Sequence, residues 1–191
     1  MNAVEILAAG PLTTVQDRGR QGWAHLGVPP SGAVDPQALA LGNRLVGNDP
    51  GAAALEATLA GPTLRFREAA VVALTGAETR TLEIDAGEVL ELGPCRMGAR
   101  VYVSVRGGFE VEPVLGSRST DLLSGLGPPP LKDGDVLPIG EEPAAEPQLE
   151  IEPPPPLPAE PVLRLLPGPR DDWFEALPAG PWRVSPSSNR V

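Results

Sequence analysis

Hydrophobic and polar positions alternate in short blocks along most of this chain. AVEILA, from Ala3 to Ala8, sets apolar residues around a single glutamate and is closed by Gly10-Pro11, which predicts a first strand. The segment from Thr13 to Asp35, TTVQDRGRQGWAHLGVPPSGAVD, follows neither the strand nor the helix period and reads as a long polar loop. At Pro36–Val46 the period changes. Ala38, Leu41 and Leu45 fall at i, i+3 and i+7, Asp35 suits the N-cap, Pro36 takes the first helical position and Gly47 the stop. Beyond the helix the pattern returns to short strands at Ala70–Gly76, Thr79–Ile84, Glu88–Leu92, Arg100–Gly107 and Gly134–Ile139. Asp85–Glu88 and Gly93–Gly98 read as turns.

Many short strands with closely spaced turn signals predict a mainly β fold, a small barrel or a sandwich. The one helix would plug an open end of such a barrel. Residues 1–140 form this first domain. Glu141–Glu160 follows as a linker, rich in proline and glutamate and carrying four consecutive prolines at 153–156. It should be extended and mobile, near polyproline II. PVLRLLPGP (Pro161–Pro169) then predicts a new strand and turn, the start of a second unit at 161–191 that is too short to bury a core alone.

Charge and composition narrow the function. The linker holds six of the acidic residues and no basic one, so it supplies most of the net charge of −10. The folded body is only mildly acidic and has no basic stripe, which argues against nucleic-acid binding. Lys132 is the only lysine, and no GxxxxGK[ST] phosphate loop is present. One cysteine, Cys95, excludes an internal disulfide, and with one histidine a transition-metal site is not expected. The start, MNAVEILAAG, lacks the basic region of a signal peptide, and no apolar run reaches membrane length. The cytoplasm is the expected compartment.

Two polar clusters carry the candidate chemistry. The first is the Thr13–Asp35 segment, where Gln16, Asp17, Arg20, His25 and Ser31 sit between glycines that allow close backbone approach. Asp17 and Arg20 form either a plain ion pair or a carboxylate or phosphate clamp with Asp17 as orienter or base. His25 is either a structural histidine or a proton-transfer group. Asp35 is accounted for by its cap. The second cluster, GSRSTDLLSG (Gly116–Gly125), offers hydroxyls, backbone N–H groups and a guanidinium suited to an anion, or simply a capping turn. Glu56 lies in an apolar run. It is either buried and paired or points outward from a strand.

TTVQDRGRQGW, GVPPSGAVD, GNRLVGND, LEATLAGPTLRF and GSRSTDLL occur in this order. Together they resemble the allophanate hydrolase subunit 2 family, also called biotin-dependent carboxyltransferase-like or KipA-like, which includes the C subunit of 5-oxoprolinase. The resemblance covers nearly all of residues 4–140 and resumes at LRLLPGPRDDWF and VSPSSNRV. It implies a cyclophilin-like β-barrel with one helix, followed by a second related barrel. Family members continue past VSPSSNRV, so the second barrel is expected to be incomplete and the isolated chain inactive.

The same resemblance implies one component of a hydrolase. It would act with a KipI-like B subunit and a LamB/YcsF-like A subunit to open 5-oxoproline to L-glutamate. ATP with Mg2+ would serve at the level of the complex, and no biotin would be attached to this chain. Alternatives within the family are a carboxyltransferase component of the urea carboxylase or allophanate hydrolase type, and a KipA-like regulator that counteracts a KipI-like kinase inhibitor. Residue by residue it carries over Gln16, Asp17, Arg20, His25, Ser31, Asp35, Asn43, Asn48 and Glu56, then Gly116, Ser117, Arg118, Ser119 and Asp121. Asp17 and His25 are the expected catalytic pair, and the others, Asp35 and Gly116 apart, are expected around substrate or phosphate. The stretch GPPPLKDGD departs from the family in lacking an arginine.

Overall fold

The computed structural model describes residues 2–148, together with 160, 162, 166, 168, 171–173, 180 and 183. The chain divides into two compact units, Met1–Pro153 and Pro154–Val191. In the second, a single 3-10 turn at Asp171–Trp173 is described. The strand expected at Pro161–Pro169 lies outside the described residues.

The first unit is mainly β. Its strands are β1 (Ala3–Ala8), β2 (Thr13–Gln16), β3 (Ala54–Thr58), β4 (Thr63–Phe66), β5 (Ala70–Gly76), β6 (Arg80–Ile84), β7 (Val89–Glu91), β8 (Arg100–Val105) and β9 (Val136–Pro138). They form a four-stranded sheet, β7-β4-β1-β9, and a five-stranded sheet, β2-β3-β8-β5-β6. Every paired neighbour is antiparallel. One core joins both sheets, with Val4, Ile6, Leu64 and Phe66 from the first and Val15, Leu55, Val72, Leu74, Val103 and Val105 from the second. The spacing of two within each strand is the expected signature of one inward face.

The helix α1 (Pro36–Leu45) forms where its caps predict. The Asp35 carboxylate accepts from the backbone N–H groups of Gln37 and Ala38 at 3.1 and 2.9 Å. It covers a sheet face rather than plugging a barrel end. Thr75 Oγ1 donates to the Ala38 carbonyl at 2.7 Å, and Ala38 and Leu39 pack with Ala54 and Tyr102. β5 and β8 are therefore buried on both sides, which explains their nearly unbroken apolar runs. The buried stripe includes Gly42, where a Cβ would lie 2.7 Å from Ser104 Oγ. A glycine here lets helix and sheet approach closely, at some loss of helix propensity.

Three strands escape a reading by period. All four residues of β2 are buried, Thr13 and Thr14 included, so its two faces show no polar alternation. β3 is buried from Ala54 to Ala57 although it contains Glu56. β4 is only four residues long. The start of the expected mobile linker is tied down. Arg106 donates to the carbonyls of Val46, Pro143 and Ala145 and pairs with Glu142 at 3.0 Å, while the Gln148 N–H reaches the Leu45 carbonyl at 2.7 Å.

Candidate functional site

The loop between β2 and α1 folds back on itself. The Arg20 N–H donates to the Pro30 carbonyl at 2.7 Å and the Ala33 N–H to the Asp17 carbonyl at 3.0 Å. At this crossing Gly19 and Gly32 meet, both with positive φ. A Cβ on Gly19 would lie 2.4 Å from the Pro30 oxygen, and one on Gly32 would lie 2.9 Å from the Gly19 nitrogen. Only glycine fits such a contact between two backbones. Ser31, between them, takes φ 54. At the tip, a 3-10 turn (Ala24–Leu26) carries His25, exposed, with Nδ1 3.0 Å from the Gly22 carbonyl oxygen.

Asp17 joins this loop to the Gly116–Gly125 segment. Its Oδ1 accepts from Ser117 Oγ at 2.6 Å, Ser119 Oγ at 2.5 Å and the Gly19 N–H at 2.7 Å. Its Oδ2 accepts from the Arg118 N–H at 2.6 Å. Burial alone raises the Asp17 pKa. The bonds from Ser117, Ser119, Arg118 and Gly19 outweigh it and hold the carboxyl below the usual range. A carboxylate with four donors already in place is a strong anchor, and it takes a proton only by giving up one of them.

Arg20 lies beneath this clamp, 1% exposed. Its Nη2 donates to the Ser119 carbonyl and its Nε to the Val114 carbonyl at 3.4 Å, while Nη1 has no partner. Two neighbours are in the same condition. Gln16 Nε2 donates to the Thr120 carbonyl at 3.1 Å, yet Gln16 Oε1 and Thr120 Oγ1 are buried without partners. Arg20 Nη1, Gln16 Oε1 and Thr120 Oγ1 thus lie buried without a protein hydrogen-bond partner on residues gathered around Ser119 and Thr120. Gly127 closes the same spot, since its Cβ would strike the Ser119 oxygen and approach Arg20 Nη2 to 3.1 Å.

Glu56 is buried and paired. Oε2 accepts from Tyr102 Oη at 2.7 Å and from the Val34 N–H at 2.9 Å, and Oε1 lies 3.4 Å from Arg100 Nε. Tyr102 Oη also accepts from the Asp35 N–H at 2.8 Å. Glu56 and Tyr102 face one another in the β3–β8 register. Burial first, and the Glu56 charge second, push the Tyr102 hydroxyl far above its ordinary pKa. The network fastens the end of the long loop to the sheet.

The remaining expected site residues divide. Ser117, Ser119 and Asp121 join the clamp region. Asp121 accepts from the Leu123 N–H at 2.9 Å and from Ser124 Oγ. Burial raises its pKa, but these bonds and the nearby Arg20 charge lower it further. Arg118 offers its N–H to Asp17, but its guanidinium is engaged by Glu110 at 2.8 Å and the Val111 carbonyl at 2.8 Å. Asn43 and Asn48 are not with the clamp. Asn43 Nδ2 donates to the Ala52 carbonyl at 2.8 Å. Asn48 joins the Val105 carbonyl at 2.7 Å to the Gly107 N–H at 2.9 Å, fixing the turn after the helix. Their amides are used inside the fold. Thr120 comes from the second polar cluster, whereas Tyr102 and Arg100 belong to these networks but read from sequence as strand residues.

The unit is thus two antiparallel sheets with one helix on a face and two polar loops joined through Asp17. Residues 26–191 match the family described as carboxyltransferase domain, subdomain A and B, and the chain belongs to that family. It is 40% identical to the C subunit of the 5-oxoprolinase of Escherichia coli over 98% of this chain and 66% of that protein. It is 36% identical to urea amidolyase of Lachancea kluyveri over 94% of this chain and 11% of that one. The chain thus spans less than two thirds of the length of these relatives. Among solved structures, TTHA0988 superposes with a TM-score of 0.81 at 36% identity, over 88% of this chain and 36% of that one. The urea amidolyase of K. lactis superposes at 0.69 with 39% identity, over 77% of this chain and 10% of that one. Among the described residues no helix is long and apolar enough to cross a membrane.

Proposed function

We propose that this chain acts as the C subunit of an ATP-dependent 5-oxoprolinase, with a KipI-like B subunit and a LamB/YcsF-like A subunit. The observation that carries this reading is the 40% identity to a 5-oxoprolinase C subunit across 98% of the chain. In the reaction the lactam C–N bond breaks, water supplies the new carboxylate oxygen, and the product is glutamate. The lactam is stable, so ATP supplies the driving force.

In this reading Arg20 holds the substrate carboxylate or a phosphate through its unpartnered Nη1, with Thr120 Oγ1 as a further donor and Gln16 Oε1, which only accepts, turned to the lactam N–H. Arg20 is 1% exposed, so this reading requires the two loops to part for a ligand to reach it. Asp17 positions those loops, and His25, exposed at the loop tip, is the proton-transfer candidate. ATP and its Mg2+ are assigned to the assembled complex. The test is 5-oxoproline-dependent phosphate release by the full-length protein with both partner proteins. Turnover supports the reading, and its absence from a correctly assembled complex overturns it.

A carboxyltransferase component of the urea-carboxylase type is the second reading, favoured by the 36% identity to urea amidolyase. It predicts urea-dependent turnover with a biotinylated carrier and none with 5-oxoproline.

A further inference from the structure

A cavity of about 330 Å³ lies at the other end of β3 from the Asp17 clamp. Asp17 follows Gln16, which pairs with Ala54, whereas the cavity wall includes Val101, which pairs with Ala57 and Gly76. The two places therefore lie near opposite ends of β3 and share no residue. The volume is within the range of small-molecule pockets, about 300–1,000 Å³.

Its walls are of two kinds. Ala77, Leu92, Pro94 and Val101 make an apolar side. Arg80, Glu78 and Arg96 make a charged side, in which Arg80 is paired with Glu78 at 3.4 Å. Arg96 has no ion pair among the described residues, so one positive charge is left uncompensated. The frame is held by backbone bonds. The Cys95 N–H donates to the Leu59 carbonyl, the Gly61 N–H to the Gly93 carbonyl and the Ala77 N–H to the Arg100 carbonyl, each at 2.8 Å. Gly61 admits the Leu92 side chain, whose Cβ lies 2.4 Å from where a Gly61 Cβ would be. The cavity is therefore preformed by the turn register.

We propose that this cavity is a second binding site, for a small carboxylate with a short apolar body. The carboxylate pairs with Arg96, the residue with an unused charge, and the hydrocarbon lies on Leu92, Pro94 and Val101. A neutral molecule forgoes the guanidinium, and a cation is repelled by it. The site is separate from the one proposed for 5-oxoproline and stands or falls without it.

Cys95, the chain's only cysteine, lines the cavity and serves as the reporter. Its alkylation by iodoacetamide is followed by mass spectrometry on the whole chain, with butyrate as probe and butyramide and chloride as controls. At ten times its Kd butyrate should slow alkylation about tenfold, while butyramide and chloride at equal concentration leave the rate unchanged. Arg96→Gln, an exposed substitution that spares the core, should abolish protection. No protection by butyrate, equal protection by butyramide, or protection that survives in R96Q would each overturn the proposal.

Discussion

Ser119 Oγ donates to Asp17 Oδ1 at 2.5 Å and accepts the Asp17 N–H at 2.9 Å, across 102 positions of sequence. This reciprocal pair holds the two motif loops in register. Asp17→Asn removes the charge and, in either amide orientation, sets a donor against at least one of the four donors now bound, the Arg118 N–H or the three at Oδ1. Charge-assisted hydrogen bonds contribute about 1.5–3 kcal/mol, so D17N should lose about 2 kcal/mol in urea unfolding at pH 7. An unchanged midpoint would refute the anchoring role.

The same carboxylate sets an acid limit. Its folded pKa is lowered, so its contribution is present above the unfolded value, near 3.9, and is lost as pH falls through the folded one. Asp121 shifts in the same direction. The gap in stability between wild type and D17N should therefore close as the pH falls below about 4. A gap that stays constant with pH would show that the charge of Asp17 is not the cause.

Tyr102 is the only tyrosine, so tyrosinate absorbance reports it alone. Its folded pKa is raised, chiefly by burial, so the folded chain keeps the phenol proton while the unfolded chain ionises near 10. Stability from this group is complete below about pH 10 and declines above it. The native protein should show no tyrosinate at pH 10.5 (~0.5 above the reference value), and Glu56→Gln should lower the native pKa. Native and urea-unfolded titrations that coincide would refute the buried Glu56–Tyr102 pair.

Arg20 and Arg118 should separate sharply in the assembled complex. Truncating a buried charge that holds a ligand costs about 2–5 kcal/mol, so R20A should lower kcat/KM for 5-oxoproline at least about 30-fold. Arg118 is already paired at the surface with Glu110, so R118A should change it less than about fivefold. Urea midpoints of both variants separate folding loss from lost turnover. Equal effects would remove Arg20 from the binding role.

Gly42→Ala should destabilise by about 1–2 kcal/mol despite the better helix propensity of alanine, because the new methyl meets Ser104 Oγ. Ser104 Oγ has no hydrogen-bond partner, so Ser104→Ala should cost little alone and recover part of the G42A loss. Strict additivity would show that the two residues do not collide.

Arg106→Ala should speed hydrogen exchange of the Gln148 amide, because it removes the bonds that hold Glu142, Pro143 and Ala145. R106K should fall between. Identical exchange in all three proteins would mean that the strap stands without Arg106.

Local chemistry determined much of this protein from sequence alone. Asp35, Pro36 and Gly47 bound α1 because caps act over a few residues, and the apolar blocks at Ala3–Ala8, Ala70–Gly76 and Arg100–Val105 are strands because one face of each must be buried. The family was legible from five ordered motifs. Tertiary structure decided what the polar residues do. Thr13 and Thr14 read as loop until both faces of β2 were covered. The partners of the Asn43 and Asn48 amides, the Ala52 and Val105 carbonyls, likewise appear only in the folded chain. Asp17 and Ser119 are far apart in sequence, and no local period records that one will satisfy the other. Which buried atoms stay unpaired, Arg20 Nη1 among them, depends on every neighbour at once, and those neighbours meet only after the sheets close.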